Sequence, residues 1–326
     1  MKPFVKYPGG KTKEIPIVKQ YMPSKCSRYI EPFIGGGSIY FALNIHPSFI
    51  NDKSQDLYLL YDRIKRQDSK LKKALYDLDK AWKLIEKEDF LKQVQKFSFI
   101  NYETFKKYYE SSAKRKNNTI KKFEESGKDL SQSDRQKMEM TSRKTALYMI
   151  VRDIYNNYSF DEMHSASFYF LREYCYSSMF RFSSKGDFNV PYGGMSYNLK
   201  YMDTKLDYIF SEDMKEYMSD TTIGNKDFAE FLDDIKLNSD DFIFLDPPYD
   251  SDFSTYDKNP FDKSEQIRLR DYLKKTPAKW MLIIKKTDFI LDLYKDFSIR
   301  EYDMNYMVSF KNRNDRDTKH LIIMNY

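Results

Sequence analysis

The glycines of this chain are unevenly distributed along its length. Five of the ten lie within the first 37 residues, and only Gly127 lies between there and Gly186. Glycine serves where a backbone turns tightly or must approach another group closely. We therefore expect the tight turns of a sheet-based fold on both sides of the middle region, and longer regular elements within it.

Strand and helix patterns agree with this division. Short apolar runs typical of strands lie at residues 28–33, 48–50, 221–223, 242–245, 280–284 and 321–324. A glycine turn at 34–37 and a helix pattern from Ser38 to Asn44 separate the first two runs. From Leu57 to about Arg181 apolar residues recur at three- and four-residue spacings typical of helices, and the polar stretch 111–143 fits either helix or loop.

These patterns predict an α/β fold in which a Rossmann-like sheet is interrupted after its second strand. One discontinuous domain would comprise residues 1–56 and 195–326, and a mostly helical insert would comprise residues 57–194.

Composition bounds the class of protein. With 41% hydrophobic and 32% charged residues, the chain can bury an ordinary core. It has no run of about 18 apolar residues and no apolar segment at its start, so we expect a cytoplasmic protein with no membrane partner. Two cysteines and three singly scattered histidines give no metal-ligand spacing, and no metal is expected.

The positive charge is concentrated in the middle of the chain. Residues 57–185 carry a net charge of +9, and the remainder carries −3. A basic insert indicates a polyanion partner, although solvated helix faces would have the same composition. Two basic clusters are candidates for binding nucleic acid, the second of which also fits an exposed hairpin tip. They are Lys114, Arg115, Lys116, Lys121 and Lys122 in the insert, and Lys311, Arg313 and Arg316 near the chain end.

The string Asp246-Pro247-Pro248-Tyr249 directly follows the apolar run 241–245. Ligands of open α/β sheets bind at the carboxyl ends of the strands. The prolines lack backbone donors, so the turn presents carbonyl acceptors beside a carboxylate and an aromatic ring. Such a site suits a planar group with an NH2, whose hydrogens Asp246 and the Pro247 carbonyl accept while Tyr249 stacks on its ring. An ordinary proline-rich turn is the alternative.

The segment Glu31–Ser38 places three glycines between a strand and a helix. The dinucleotide fingerprint needs a small residue at position 40, where this chain has Tyr40, so a pyrophosphate cofactor is disfavoured. Asp52, after the second strand, is positioned to accept ribose hydroxyls, which favours a nucleoside without phosphates. Tyr7–Thr12 is not a phosphate-binding loop, because Val5 stands where that motif needs glycine.

Together these segments resemble the Dam-like, alpha-group DNA adenine-N6 methyltransferases, which use S-adenosylmethionine. The resemblance covers roughly residues 4–60 and 175–326, and the motifs follow the family's order. It implies a Rossmann-like methyltransferase sheet with a mostly helical inserted target-recognition domain, and a catalytic domain formed by both ends of the chain. The implied catalytic residues are Asp246, Pro247, Pro248 and Tyr249. The implied cofactor-binding residues are Tyr7, Lys11, Phe33, Gly35, Asp52, Asp227, Phe228 and Asp246.

Two features depart from the family pattern. Lys285–Asp288 replaces a Ser-Asn pair that many relatives have after the fifth strand, and the insert from Leu57 to Arg181 matches no motif of the family.

The predicted function is site-specific methylation of a flipped adenine in duplex DNA, as the modification part of a restriction-modification system. A companion restriction endonuclease need not bind the enzyme. Cytosine-N4 methylation, RNA adenine methylation and a catalytically inactive DNA-binding relative are the alternatives. Aspartate rather than serine at position 246 argues against the first, the large insert argues against the second, and the intact Lys11, Asp52, Asp246 and Tyr249 argue against the third.

Overall fold

The structure is a computed structural model that describes residues 1–127, 129–157, 159–248, 261–305 and 317–326. The chain divides into two compact units. The first comprises Met1–Pro3, Gly9–Tyr58 and Tyr217–Tyr326, and the second comprises Phe4–Pro8 and Leu59–Glu216. Residues 195–216, which we assigned to the catalytic domain, fall in the second unit by this division. The functional role of each unit stays a prediction.

The first unit is a mixed α/β structure built on one sheet. In the described ranges this sheet has seven strands, in the order β3-β2-β1-β4-β5-β7-β6. Strands β1 to β5 are parallel, whereas β7 runs antiparallel to β5 and β6 antiparallel to β7. The strands are β1 Arg28–Glu31, β2 Ser48–Asn51, β3 Thr221–Gly224, β4 Asp241–Leu245, β5 Lys279–Lys285, β6 Ser298–Asn305 and β7 Asp317–Met324. The predicted α/β fold class is confirmed at this level.

Burial explains why the central strands could be predicted from the sequence. All five residues of β4 and the inner five of β5 are buried, as expected for parallel strands covered on both faces. Helices of this unit pack on the sheet, with Leu232, Leu269 and Leu273 among their core residues. These helices are α1 Ile15–Tyr21, α2 Ser38–Leu43, α11 Phe228–Asp234, α12 Lys263–Leu273 and α13 Asp288–Leu293.

Strand β6 was absent from the sequence prediction. Among the strands that the structure describes, it lies at the edge of the sheet and pairs with β7. Its sequence places Arg300, Glu301 and Asp303 within a strand of eight residues, so no apolar run marks it. Charged side chains are common on edge strands, where they discourage pairing with another chain.

The second unit is mostly helical. Two helices continue across the boundaries between the units, α3 Gln55–Lys65 and α10 Glu212–Ser219. The others are α4 Ser69–Leu84, α5 Phe90–Val94, α6 Tyr102–Glu125, α7 Gln132–Asn156, α8 Glu162–Tyr174 and α9 Asp203–Ile209, with 3-10 turns at Tyr176–Ser178 and Met195–Tyr197. The polar stretch 111–143 therefore belongs mainly to two long helices, α6 and α7, which pack against each other. Side chains of Asn101 and Ser131 cap their first turns. Among the described residues, no helix is both long enough and apolar enough to span a bilayer.

Candidate active site

The strand order creates a switch point between β1 and β4. The chain leaves β1 towards β2 on one side, while β4 pairs with β1 on the other, with Ile30 opposite Ile243. Because β1, β2 and β4 are parallel, the turns that follow them emerge at the same sheet edge. In open α/β sheets this crevice is where ligands bind.

Lys11 and Asp246 meet at this edge. The Lys11 Nζ lies 2.6 Å from the Asp246 Oδ2, and it donates a hydrogen bond of 3.0 Å to the Gly9 carbonyl. Side-chain exposure is 6% for the lysine and 20% for the aspartate, so the ion pair is largely shielded from water. Two residues predicted at the site, 235 positions apart in the chain, are thus in direct contact.

The prolines after Asp246 differ in exposure. Pro247 is buried and Pro248 is exposed, and the Pro248 carbonyl accepts a hydrogen bond of 3.4 Å from the Gln266 Nε2. Tyr249 lies outside the described residues.

Gly35 and Asp52 are also brought together. The Gly35 backbone N–H donates to the Asp52 Oδ2 at 3.0 Å, and the Asp52 Oδ1 accepts from the Ser54 N–H at 2.9 Å. Gly35 has φ of 47° and Gly37 has φ of 72°, in the left-handed region that favours glycine. The carboxylate after β2 therefore stabilises the glycine turn after β1.

Asn51, which sequence reasoning did not assign to the site, joins two of the turns at this edge. Its Nδ2 donates to the Pro32 and Lys226 carbonyls, each at 3.0 Å, and its Oδ1 accepts from the Lys226 N–H at 2.9 Å. A Cβ at Gly224 would lie 2.7 Å from the Asn51 Oδ1, so this approach requires glycine. The only signal in the sequence was the position of Asn51, directly before Asp52.

Glu31 is a fully buried carboxyl behind the glycine turn. Its Oε2 accepts from the Tyr29 hydroxyl at 2.6 Å and from the Tyr40 N–H at 3.1 Å, in the first turn of α2. Burial raises the pKa of Glu31 well above its usual value, and the charges of Asp246 and Asp52 add to this. The hydrogen bonds from Tyr29 and Tyr40 act in the opposite direction.

Asp227 and Phe228, two of the implied cofactor-binding residues, are the N-cap and the first residue of helix α11. Asp227 accepts from the Ala229 N–H at 3.0 Å and forms a two-pronged ion pair with Arg268, at 2.8 and 2.7 Å. The hydrogen bonds from Arg268 lower the pKa of Asp227. Phe228 is buried, with its ring centroid 5.7 Å from that of Phe33 and 4.2 Å from the Arg268 guanidinium carbon.

Phe33 and Phe228 are therefore neighbours, and their roles in binding the cofactor stay predictions. Arg268 was missed, because nothing in the sequence links helix α12 to Asp227.

Tyr7 belongs to the second unit, where its ring lies 5.3 Å from the guanidinium of Arg172 on helix α8. Arg172 is fully buried and its Nε donates to the Lys6 carbonyl at 2.7 Å. The adjacent Glu173, also buried, pairs with Lys200 and Lys205. Helix α8 thus holds the segment that carries Tyr7.

The basic cluster of the insert lies on helix α6. Lys114, Arg115, Lys121 and Lys122 are exposed, whereas Lys116 is partly buried. The second cluster, Lys311, Arg313 and Arg316, lies outside the described residues. In the described ranges no three His, Cys, Asp or Glu side chains are arranged to hold a metal ion.

Comparison with known proteins assigns the chain to a family. The family model for D12 class N6 adenine-specific DNA methyltransferases matches residues 7–308. The chain belongs to this family. The resemblance inferred from the motifs is confirmed, and the protein is an adenine-specific DNA methyltransferase.

Similar proteins align with the chain over its whole length. Type II methyltransferase M.CviBI of Paramecium bursaria Chlorella virus NC1A is 31% identical over 333 residues, covering 100% of both chains. Type II methyltransferase M.MjaIII of Methanocaldococcus jannaschii is 28% identical over 349 residues, covering 100% of this chain and 99% of its own. Type II methyltransferase M1.LlaDCHI of Lactococcus lactis subsp. cremoris is 27% identical over 339 residues, covering 100% of this chain and 96% of its own.

Proposed function

We propose that this methyltransferase transfers the methyl group of S-adenosylmethionine to the N6 amino group of an adenine flipped out of duplex DNA. The observation that carries the proposal is the shielded Lys11–Asp246 pair at the switch point of the sheet, next to the glycine turn that Asp52 stabilises. We further propose that the enzyme is the modification member of a restriction-modification system, since three similar proteins are named type II methyltransferases.

The residues at the switch point fit a nucleoside-type cofactor. Asp52 is partly exposed and offers carboxylate acceptors to ribose hydroxyls, while Phe33, which is also partly exposed, offers an aromatic surface packed against the buried ring of Phe228. Tyr40 is fully buried in α2 and its hydroxyl bonds with Thr221 at 2.7 Å, so its bulk leaves no room for the close helix packing that a dinucleotide fingerprint needs. When bound, S-adenosylmethionine supplies an activated methyl group on its sulfonium.

Asp246 and the Pro247 carbonyl then act on the target amino group. The lone pair of an adenine amino nitrogen is delocalised into the ring, which makes the nitrogen a poor nucleophile. When Asp246 and the Pro247 carbonyl accept hydrogen bonds from its two N–H groups, that lone pair becomes localised on the nitrogen. The nitrogen is then prepared for direct transfer of the methyl group. Asp246 also stabilises the positive charge that develops on the nitrogen, which then loses one of its two protons to solvent to give the neutral methylated amine. A base must leave the helical stack to reach such a site, and we propose that Tyr249 stacks on it.

The second unit is proposed as the part that reads DNA. Its support is the charge distribution, with a net charge of +9 in residues 57–185, and the exposed basic residues of α6. Phosphate contacts from such residues position a protein on DNA, and contacts to base edges give specificity.

One experiment tests the base, the atom and the catalytic residue together. DNA incubated with the purified enzyme and S-adenosylmethionine is digested to nucleosides and examined by mass spectrometry. We expect N6-methyladenine from the wild type and none from Asp246→Ala. The matched control Asp240→Ala removes an exposed carboxylate at the other end of β4 and should keep full activity. N4-methylcytosine as the product, or an active Asp246→Ala, would overturn the proposal.

A further inference from the structure

Glu14 is a buried carboxyl residue one turn beyond Lys11. It is the N-cap residue of α1, its exposure is 2%, and its backbone N–H donates to the Lys11 carbonyl at 3.1 Å. Within the part of the chain that the structure describes, its Oε2 has no hydrogen-bond partner. Buried carboxylate oxygens are normally paired, so an unpaired one at a reaction centre requires an explanation.

The charges around Glu14 are those of the active site. Burial raises the pKa of Glu14, the Lys11 ammonium lowers it, and the negative charge of Asp246 raises it again. Lys13 also lowers it. Two carboxyl groups therefore share the field of one shielded lysine, and only Asp246 forms the 2.6 Å ion pair.

The proposed reaction needs Asp246 to change partners. Its carboxylate must accept a hydrogen bond from the target amino group, but a charged ammonium holds it more strongly than a neutral amine does. A lysine that leaves a buried carboxylate must find another acceptor, because an unpaired buried charge is strongly unfavourable. The Oε2 of Glu14 is a buried carboxylate acceptor on a residue whose backbone bonds to Lys11, and it lies in the electrostatic field of the same lysine.

We propose that Glu14 is a positioning residue that accepts the Lys11 ammonium when Asp246 engages the target amino group. This inference rests on the proposed role of Asp246. The Lys11 ammonium has three N–H donors, so it can keep a protein carboxylate partner while it also contacts the cofactor, and Asp246 becomes able to accept hydrogen bonds from the substrate.

Glu14→Gln tests the inference, because it keeps the shape of the side chain and removes its charge. We expect kcat to fall about tenfold or more, with KM for S-adenosylmethionine and Kd for DNA within about twofold of the wild type. The decisive measurement is a double-mutant cycle with Lys11→Met. If Glu14 acts through Lys11, adding Glu14→Gln to Lys11→Met should lower kcat no further. Reductions in kcat that multiply in the double variant would overturn the inference.

Asp241→Asn is the matched control for loss of a buried carboxylate. Asp241 is fully buried and pairs with Arg28 at the amino end of β4, away from Asp246. This variant should lower the melting temperature and leave kcat unchanged, whereas Glu14→Gln should lower kcat. If Glu14→Gln does not fold, Glu14→Asp and Glu14→Asn give the same comparison of charged and neutral groups. Equal kcat values in that pair would refute the role.

Failure of this inference can be told apart from failure of the proposed function. A wild-type enzyme that yields no N6-methyladenine contradicts the function itself. A wild-type enzyme that yields it, with Glu14→Gln equally active, contradicts only the role of Glu14.

Discussion

Replacing four basic residues on one face of helix α6 should weaken DNA binding in a salt-dependent manner. An α-helix turns about 100° per residue. On α6, therefore, Lys114 and Lys121 point within about 20° of each other, as do Arg115 and Lys122, and all four fit an arc of about 120°. Lys116 points to the opposite side, where Phe105 and Ser112 are buried. The helix therefore separates Lys116 from the other members of the predicted cluster.

The geometry sets the size of the effect. Removing one phosphate-binding side chain should reduce the slope of log affinity against log salt by about 0.9, so four such residues predict a change of about 3.6 and five would predict about 4.5. The variant Lys114→Ala/Arg115→Ala/Lys121→Ala/Lys122→Ala should approach the smaller value. Lys116→Ala is its control, and should leave the slope unchanged.

Fluorescence anisotropy of a labelled duplex, measured at several salt concentrations, determines the slope. Cofactor affinity, measured in parallel, should stay constant because the substitutions lie on the second unit. A quadruple variant with the wild-type slope would show that this face of α6 does not bind DNA, and Lys311, Arg313 and Arg316 would be the next residues to replace. A large effect of Lys116→Ala alone would contradict the helical phase on which the estimate depends.

Three further predictions concern the first unit and the buried charge of α8. Asp246→Ala should reduce kcat at least about a hundredfold, because it removes an acceptor that acts in the transition state; a variant that keeps more than about a tenth of the turnover in a methyl-transfer assay would remove Asp246 from that role. Asp52→Ala should weaken S-adenosylmethionine binding by roughly 1.5 to 3 kcal/mol in calorimetry while DNA affinity changes little, and an unchanged cofactor affinity would mean that the ribose binds elsewhere. Burial opposes the charge of Glu173, but Lys200, Lys205 and Lys6 outweigh it and lower the pKa of Glu173. The stabilisation from this group is therefore present above about pH 4.5, the ordinary value, and is lost as the pH falls further. Melting temperatures from pH 7 to pH 3 should show a smaller acid-induced decrease for Glu173→Gln than for the wild type.

The sequence predicted the parts of the fold that bury continuous apolar runs. Strands β4 and β5 are central and covered on both faces, so their residues carry the signal directly. The edge strand β6 carries charged residues and gave no such signal. The sequence did not decide between helix and loop for the polar stretch 111–143, because its side chains are mostly exposed and give no apolar period. The helical phase that separates Lys116 from its neighbours was therefore not predicted.

At the candidate site, motif residues were predictable and their partners were not. Asp246, Asp52 and Lys11 belong to short sequence motifs, and their chemical roles can be predicted from the residues next to them in the chain. Arg268 contacts Asp227, which is 41 positions away in the chain, and Asn51 contacts Lys226, which is 175 positions away. Composition and spacing do not reveal contacts between residues so far apart. The position of Glu14 beside the Lys11–Asp246 pair likewise depends on the fold.

The side chain of Asn51 has a consequence for the entropy of ligand binding. Its amide uses three hydrogen bonds to tie the turn after β1 to the turn after β3, and it lies at the end of β2 between them. These bonds are made by the protein alone, so the turns keep a fixed conformation whether or not a ligand is bound. Ordering a flexible residue costs roughly 1 to 2 kcal/mol of backbone entropy, and segments ordered in this way add little of that cost when a ligand binds. A ligand that binds at these turns therefore loses little of its contact energy to the cost of ordering the protein backbone.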